Sequence, residues 1–151
     1  ANEYSLKLNR NSLHLRYYGS AHTDSDISVT FSEANVIHVA DTFWNGVYPF
    51  IDYSTGGNID GMIAAADANL KAATDSTVII AGHGRPIGNR ADLRNFHDML
   101  VAIRGNVAAL KRQGRSREET VAAKPTAAFD AVYGNFVIDP GFFTRLVYDG
   151  V

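Results

Sequence analysis

The sequence predicts a mixed α/β domain in which one mixed sheet is covered by helices. Alternating or continuous apolar patterns typical of strands cover residues 4–8, 12–18, 27–31 and 36–40. A helical pattern begins at Ile59, a fifth apolar strand covers 77–81, and a long amphipathic helix covers 90–112. This order of strands, helix, strand and further helices favours a sheet with helices packed on one side.

The composition indicates one soluble globular domain over residues 1–151. The chain has 151 residues, of which 46% are hydrophobic and 20% charged, enough for one core and too few for two. The net charge is −2, and the basic cluster 111–117 falls at a predicted helix end, where cations favour the helix dipole, so no nucleic-acid partner is expected. No apolar run approaches the ~20 residues of a membrane span, so no membrane association is expected. The sequence contains no cysteine, which excludes disulfides and thiolate metal sites and leaves the cellular compartment unassigned.

Two turns and one long loop connect the predicted strands. Residues 9–11 read as a hairpin turn because asparagine tolerates positive φ, and residues 32–35 turn the chain into the fourth strand. By alternation, His38 points away from its neighbours on that strand and is predicted to be structural. The loop 42–58 combines glycines with several aromatic residues, which either cap the core or form a binding wall.

The second half of the chain carries several helix boundary signals. Gly114 is a predicted C-cap of the long helix, and Ser116 with Glu119 forms a predicted capping box for the next one. Pro125 ends that helix, and Thr126 is a predicted cap of a short helix reaching residue 132. A last helix is predicted over 141–148.

Three metal-competent side chains lie at the ends of predicted strands. His22 follows the second strand, Asp41 follows the fourth, and His83 follows the fifth between Gly82 and Gly84. Imidazole nitrogen and carboxylate oxygen are good zinc ligands, and a catalytic zinc keeps one position open for water. The three residues therefore predict part of a zinc site, with Asp41 as the natural bridge between two ions. Iron and manganese suit the same ligands.

The segments Gly-Ser-Ala-His22-Thr, Val-Ala-Asp41-Thr and Gly-His83-Gly-Arg-Pro, in this order, resemble the C-terminal half of the metallo-beta-lactamase superfamily over about residues 17–94. The resemblance implies an αββα sandwich, of which this chain supplies one half, with one mixed sheet and its helices. It also implies that these three residues are metal ligands, and that Asp41 takes part in catalysis as the bridging carboxylate. The expected reaction is the attack of a zinc-activated water on an ester, lactone, thioester or amide of a small molecule. The motifs favour the broad hydrolase branches of the superfamily over a specific beta-lactamase.

The superfamily's His-x-His-x-Asp-His motif does not occur in this sequence. The expectation is therefore the C-terminal portion of a zinc-dependent hydrolase that uses one or two zinc ions and is incomplete alone. A lone half leaves one apolar sheet face uncovered, which predicts a homodimer or association with a missing N-terminal half. Two alternatives stay open. One is a non-catalytic metal-binding or interaction module on the same half-fold, and the other is an unrelated α/β domain whose strand-end residues are structural.

Four further residues are candidates for the surroundings of the site. Asp24 and Asp26 come shortly after the first histidine, and they either hold an imidazole tautomer or cap the loop. Trp44 and Asn45 come shortly after the aspartate and are candidates for lining a substrate cleft.

Overall fold

The computed structural model describes residues 2–151, which form strands, two short 3-10 turns and helices. The strands are β1 Glu3–Leu8, β2 Asn11–Tyr17, β3 Ile27–Phe31, β4 Val36–His38, β5 Trp44–Asn45, β6 Val78–Ile80, β7 His83–Gly84 and β8 Ile87–Gly88. The helices are α1 Ile59–Ala72, α2 Arg90–Arg112, α3 Arg117–Ala122, α4 Asp130–Tyr133 and α5 Pro140–Asp149. The 3-10 turns span Ala40–Thr42 and Tyr53–Thr55.

The main sheet is mixed, as predicted, and has the strand order β1-β2-β3-β4-β6-β8. Strands β1 to β4 form an antiparallel meander, β6 pairs parallel to β4, and β8 pairs antiparallel to β6. The parallel pair needs a crossover, and α1 provides it. Strands β5 and β7 form a separate two-stranded parallel ribbon in which Trp44 lies opposite His83.

The first hairpin turn differs from the prediction in one position. Asn9 has φ 48° and Arg10 has φ 66°, and Leu8 pairs directly with Asn11. Two consecutive positive φ angles make this a two-residue turn that suits the twist of the flanking strands. Arg10 therefore takes the second left-handed position, and Asn11 already belongs to β2.

The helices α1 and α2 cover one face of the sheet and enclose the core. Both begin at asparagine caps, where the Asn58 side chain accepts the Gly61 amide and the Asn89 side chain accepts the Asp92 amide. Ile37 and Ile79 of the central strands are 3% and 0% exposed beneath these helices. The prediction that the fifth strand is buried on both faces is wrong, because Val78 is 40% exposed on the opposite side.

The opposite face of the sheet is apolar and has no cover within residues 2–151. Apolar residues of neighbouring strands pair with each other on this face, as Leu15 and Val29 do. None of its residues is classed as buried. The apolar members are Tyr4, Leu6, Leu8, Leu13, Leu15, Tyr17, Ile27, Val29, Phe31, Val36, Val78, Ile80 and Ile87. His38 shares this face, opposite Val29, while Ile37 points into the core, as alternation predicts.

The helical tail closes the core at the far end. Gly114 has φ 80° after α2, and Ser116 with Glu119 forms the predicted capping box of α3. The short helix α4 begins at Asp130 and not after Thr126, and residues 125–129 form turns in which the Phe129 amide donates to the Thr126 carbonyl at 2.8 Å. None of the helices within residues 2–151 is long and apolar enough to cross a membrane.

Candidate metal and active site

The fold brings His22, Asp41 and His83 together at one end of the sheet. His22 lies in the loop after β2, Asp41 in the 3-10 turn after β4, and His83 at the start of β7. The Asp41 carboxylate lies between the two imidazoles, with Oδ2 3.3 Å from His22 Nε2 and Oδ1 2.8 Å from His83 Nδ1. The His22 side chain is 14% exposed and that of His83 is 44% exposed, so the site opens to solvent on the His83 side.

A backbone carbonyl fixes the orientation of His22. Its Nδ1 lies 3.0 Å from the Phe50 carbonyl oxygen, which can only accept, so Nδ1 donates and Nε2 is the nitrogen that faces Asp41. The ring also makes edge contacts with Trp44 and Phe50, at centroid distances of 6.1 and 6.0 Å. His22 therefore presents its Nε2 to the Asp41 carboxylate.

Trp44 and Asp41 fix the orientation of His83. The indole of Trp44 stacks on the imidazole at a centroid distance of 3.9 Å and an interplanar angle of 14°. The indole nitrogen donates to the Asp41 carbonyl oxygen at 3.1 Å. Because the carboxylate accepts from His83 Nδ1, the other nitrogen of His83 is available as an acceptor or ligand.

The turn that carries Asp41 is anchored from below by a buried polar chain. The Asn69 amide of α1 donates to Thr42 Oγ1 at 3.1 Å, and its carbonyl accepts from Ser28 Oγ at 2.8 Å. Thr42 in turn donates to the Val39 carbonyl at 2.6 Å. The side chains of Ser28, Thr42 and Asn69 are at most 3% exposed, so this buried hydrogen-bond network holds the Asp41 turn rigidly.

Close backbone approach at the site requires glycine at position 82. An added Cβ at Gly82 would lie 2.1 Å from Asp41 Oδ1 and 2.6 Å from the Ala40 carbonyl oxygen. The glycine before His83 therefore allows the β7 strand to lie against the Asp41 turn.

The acidic residues after His22 stabilise their own loop. Asp26 Oδ2 accepts from the Thr23 amide at 2.7 Å and from the Thr23 hydroxyl at 3.2 Å. Asp24 is exposed, and its amide donates to the Thr55 carbonyl. The group that orients the His22 ring is thus the main-chain carbonyl of Phe50. Neither Asp24 nor Asp26 bonds to the imidazole. A sequence pattern of side chains cannot predict that a backbone carbonyl accepts the His22 hydrogen bond.

The aromatic loop contributes to the core more than to an open wall. Phe43 and Tyr48 are fully buried, whereas Phe50 is partly exposed beside His22. Burial, with the Asp130 carboxylate that accepts the Tyr48 hydroxyl at 2.8 Å, raises the pKa of Tyr48 far above its usual value. Tyr48 therefore acts as a neutral donor that ties this loop to the helical tail.

Asn45 is 2% exposed, and its side chain takes no part in the histidine cluster. Its amide donates to the Ile87 carbonyl at 3.3 Å, and its oxygen accepts from Arg85 Nη2 at 3.0 Å. Asn45 thus joins the ribbon to β8 on the side away from the Trp44 ring.

Among residues 2–151, no group of three or more histidine, cysteine, aspartate and glutamate side chains is arranged so that it could hold a metal ion. The physical reason is visible at Asp41, where one oxygen is already bonded to His83 Nδ1. That bond turns the remaining nitrogen of His83 away from Oδ1. Within residues 2–151 the site therefore offers the His22–Asp41 pair and a separate His83 nitrogen. These atoms do not form a complete set of metal ligands.

No protein-family model and no curated protein matches the chain. Solved structures do match it. A stereoselective inverting sec-alkylsulfatase, Pisa1, from Pseudomonas sp. is 17% identical with a TM-score of 0.74, over 99% of this chain and 25% of that chain. A metallo-beta-lactamase from Pontibacter korlensis is 14% identical with a TM-score of 0.58, over 67% of this chain and 46% of that chain. The DIM-1 metallo-beta-lactamase is 21% identical with a TM-score of 0.55, over 67% of this chain and 46% of that chain.

These likenesses show that the chain has the fold of part of a metallo-beta-lactamase-type protein, as the sequence predicts. The chain spans about a quarter of the alkylsulfatase and less than half of the beta-lactamases that it matches. At these identities the likeness shows the fold alone, which hydrolases of different specificity share.

Proposed function

We propose that the chain carries part of the metal site of a hydrolase, with His22, Asp41 and His83 as ligands and Asp41 as the bridging carboxylate. Zinc is the proposed metal, in one or two ions, and a bound zinc lowers the pKa of its water towards ~7. The proposed substrate class is a small molecule with an ester, lactone, thioester or amide bond. The fold shared with a sulfatase and with beta-lactamases supports a hydrolase.

The observation that carries this proposal is the contact between His22 and Asp41. In a neutral imidazole with Nδ1 protonated, Nε2 of His22 is an acceptor like Oδ2 of Asp41, yet the two atoms face each other at 3.3 Å. Such a pair is stable only with a cation between them, either a proton or a metal ion. Two ligands at the ordinary zinc bond lengths and a tetrahedral angle are about 3.3 Å apart, so the spacing suits zinc.

The orientation of both histidines supports the same proposal. Metal-binding histidines usually donate their second ring N–H to a carboxylate or a backbone carbonyl, which fixes the tautomer. His22 donates to the Phe50 carbonyl and His83 to the Asp41 carboxylate. Both rings therefore keep a free Nε2 for a ligand.

Further ligands would come from a second polypeptide segment or a second copy that packs on the uncovered sheet face. That face is apolar across all six strands of the sheet, and the chain corresponds to only part of the proteins it resembles. In this proposal the second layer completes the sandwich and the metal site together. Residues 2–151 alone then bind metal weakly and hydrolyse slowly.

A non-catalytic metal-binding or interaction module is the second candidate. It is favoured by the lack of a closed ligand group within residues 2–151. The two candidates differ in one result, because only the first gains hydrolysis when the complementary half of the fold is added.

Metal content and optical titration test the proposal. The protein has one tryptophan, Trp44, which stacks on His83, so zinc binding should change its fluorescence. We expect His22→Ala and His83→Ala each to weaken zinc binding at least tenfold, since each removes a ligand. His97→Ala is the matched control, because His97 lies on α2 and bonds to Asp98. Unchanged zinc content in His83→Ala would contradict the metal site.

A further inference from the structure

The β5·β7 ribbon also forms one wall of a cavity that takes no part in the histidine cluster. The cavity has a volume of about 530 Å³, within the usual range for small-molecule sites. The loop after Asn45 and the loop after Gly84 form one side, and α4 with the segment that follows it forms the other.

The wall of this cavity combines apolar side chains with one cation. Val47, Pro86, Val132 and Phe136 are the apolar members. Val132 is 61% exposed and Phe136 is 45% exposed, although side chains of this kind are costly to leave in water. A ligand with an apolar part would cover them.

Arg85 supplies the polar end of the cavity. Its guanidinium lies beside Gly46 and donates through Nη2 to Asn45 at 3.0 Å and to Asp92 at 3.5 Å. The Asp92 contact is longer than a strong charge-assisted bond, and Asp92 also accepts the Asn89 amide in the α2 capping box. Within residues 2–151, Nε and Nη1 of Arg85 donate no hydrogen bond, so their three N–H groups face the cavity mouth or solvent.

We propose that this cavity binds an amphiphilic anion, in which an apolar chain lies against Val132 and Phe136 and an acidic headgroup pairs with Arg85. The guanidinium fork suits the planar oxygens of a carboxylate or the oxygens of a sulfate or phosphate group. Asn45 holds the fork in place from below, because it is buried and bonded to both Arg85 and β8. The site is separate from the metal ligands and goes beyond the proposed hydrolase function, since binding here requires no metal.

Calorimetric titration of the full chain with octanoate tests this site in the presence of a chelator. We expect saturable binding of one octanoate per chain, and at least tenfold weaker binding of acetate, which lacks the chain, and of 1-octanol, which lacks the charge. Arg85→Gln and Phe136→Ser should each weaken octanoate binding at least fivefold. Val137→Ser is the matched control, because Val137 is 73% exposed but does not line the cavity.

The outcomes separate this proposal from the proposed metal site. Loss of octanoate binding in His83→Ala together with retention in Arg85→Gln would place the anion at the histidine cluster and overturn the proposal. Equal losses in Phe136→Ser and Val137→Ser would indicate nonspecific apolar binding, which also overturns it. If Arg85→Gln fails to fold, Val132→Asp gives the same test, because it puts a negative charge on an exposed wall residue and should abolish binding.

Discussion

The site depends on residue 82 being glycine, because a single added carbon would occupy the space of the Asp41 carboxylate. Gly82→Ala should move Asp41 Oδ1, which would lie 2.1 Å from the new Cβ. We expect a loss of about 1–3 kcal/mol in the free energy of unfolding, the usual cost of overpacking, and at least tenfold weaker zinc binding. Chemical denaturation and the fluorescence titration measure the two effects.

The same substitution elsewhere in the chain gives the control. Gly105 lies in the middle of α2, and an added Cβ there has nothing within 4 Å. Gly105→Ala should stabilise the protein by about 0.5–1 kcal/mol, because alanine is the better helix former, and leave zinc binding unchanged. If both variants behaved alike, the close approach at Gly82 would have no role in the site.

Glu33 provides a pH-dependent contact between the β3–β4 turn and strand β2. Hydrogen bonds from the Ser12 amide at 2.6 Å and the Ser12 hydroxyl at 2.8 Å hold the pKa of Glu33 below its usual value. A lowered folded-state pKa means that the contribution to stability is present above the unfolded-state pKa of about 4.3 and is lost as the pH falls below it. In Glu33→Gln this contribution should be absent. The difference in thermal midpoint between wild type and variant should therefore shrink as the pH falls from about 6 to about 3, across the unfolded-state pKa.

A matched neutralisation tests the assignment to Glu33. Glu118 is exposed on α3 and its carboxylate contacts Arg117 at 3.6 Å. Glu118→Gln should follow the wild-type profile over the same range. A gap for Glu33→Gln that stays constant with pH would show that the Ser12 contacts do not depend on the ionised carboxylate.

At the scale of elements, Asn69 couples α1 to the strand β3 and to the Asp41 turn. Asn69→Leu removes one donor and one acceptor and leaves the buried hydroxyls of Ser28 and Thr42 without this partner. Thr42 keeps its bond to the Val39 carbonyl, so the Ser28 hydroxyl is the group left unsatisfied. An unsatisfied buried group costs about 1–3 kcal/mol, and we expect a loss of that size in the free energy of unfolding, measured by denaturant titration.

A double-mutant cycle isolates the Ser28–Asn69 contact. Ser28→Ala should destabilise the wild type, because it leaves the Asn69 carbonyl unpaired. In the Asn69→Leu background the same change should cost little, since the partner is already gone. Additive effects in the cycle would mean that the hydrogen bond contributes nothing to stability.

The elements that the sequence predicts well are those with long periodic patterns or explicit caps. The sequence predicts a helix over 90–112, and α2 spans Arg90–Arg112; it predicts a strand over 27–31, and β3 spans Ile27–Phe31. The ribbon strands β5 and β7 have two residues each, too few to show any period. They form because the chain folds back over the Asp41 turn, a tertiary cause that no local pattern contains.

The candidate site is predictable to a similar degree. The three strand-end positions of His22, Asp41 and His83 could be read from the sequence, and the fold brings them together. The groups that orient these residues could not be predicted from the sequence. The Phe50 carbonyl belongs to the main chain, and the Trp44 stack depends on the pairing of β5 with β7. Whether the three residues bind metal stays a prediction.

At the scale of the whole molecule, we expect the uncovered sheet face to determine whether the chain associates in solution. Its apolar side chains lie on all six strands of the sheet, and contiguous apolar surface of this kind is typical of an interaction site. We expect the purified chain to self-associate at micromolar concentration, as measured by light scattering, because burial of this face is the main available gain in hydrophobic free energy.

Val29→Lys tests that expectation at the centre of the face, where Val29 lies between Leu15 of β2 and His38 of β4. A charge there should weaken association at least tenfold, about 1.4 kcal/mol, because the ammonium group would lose its water in the interface. Val101→Lys is the control, since Val101 is 44% exposed on α2, away from this sheet face. A wild-type chain that is monomeric at micromolar concentration would contradict self-association through this face. If that monomer also failed to bind an apolar dye, the face would not act as an exposed interaction surface, and the proposed second layer of the sandwich would lose its physical basis.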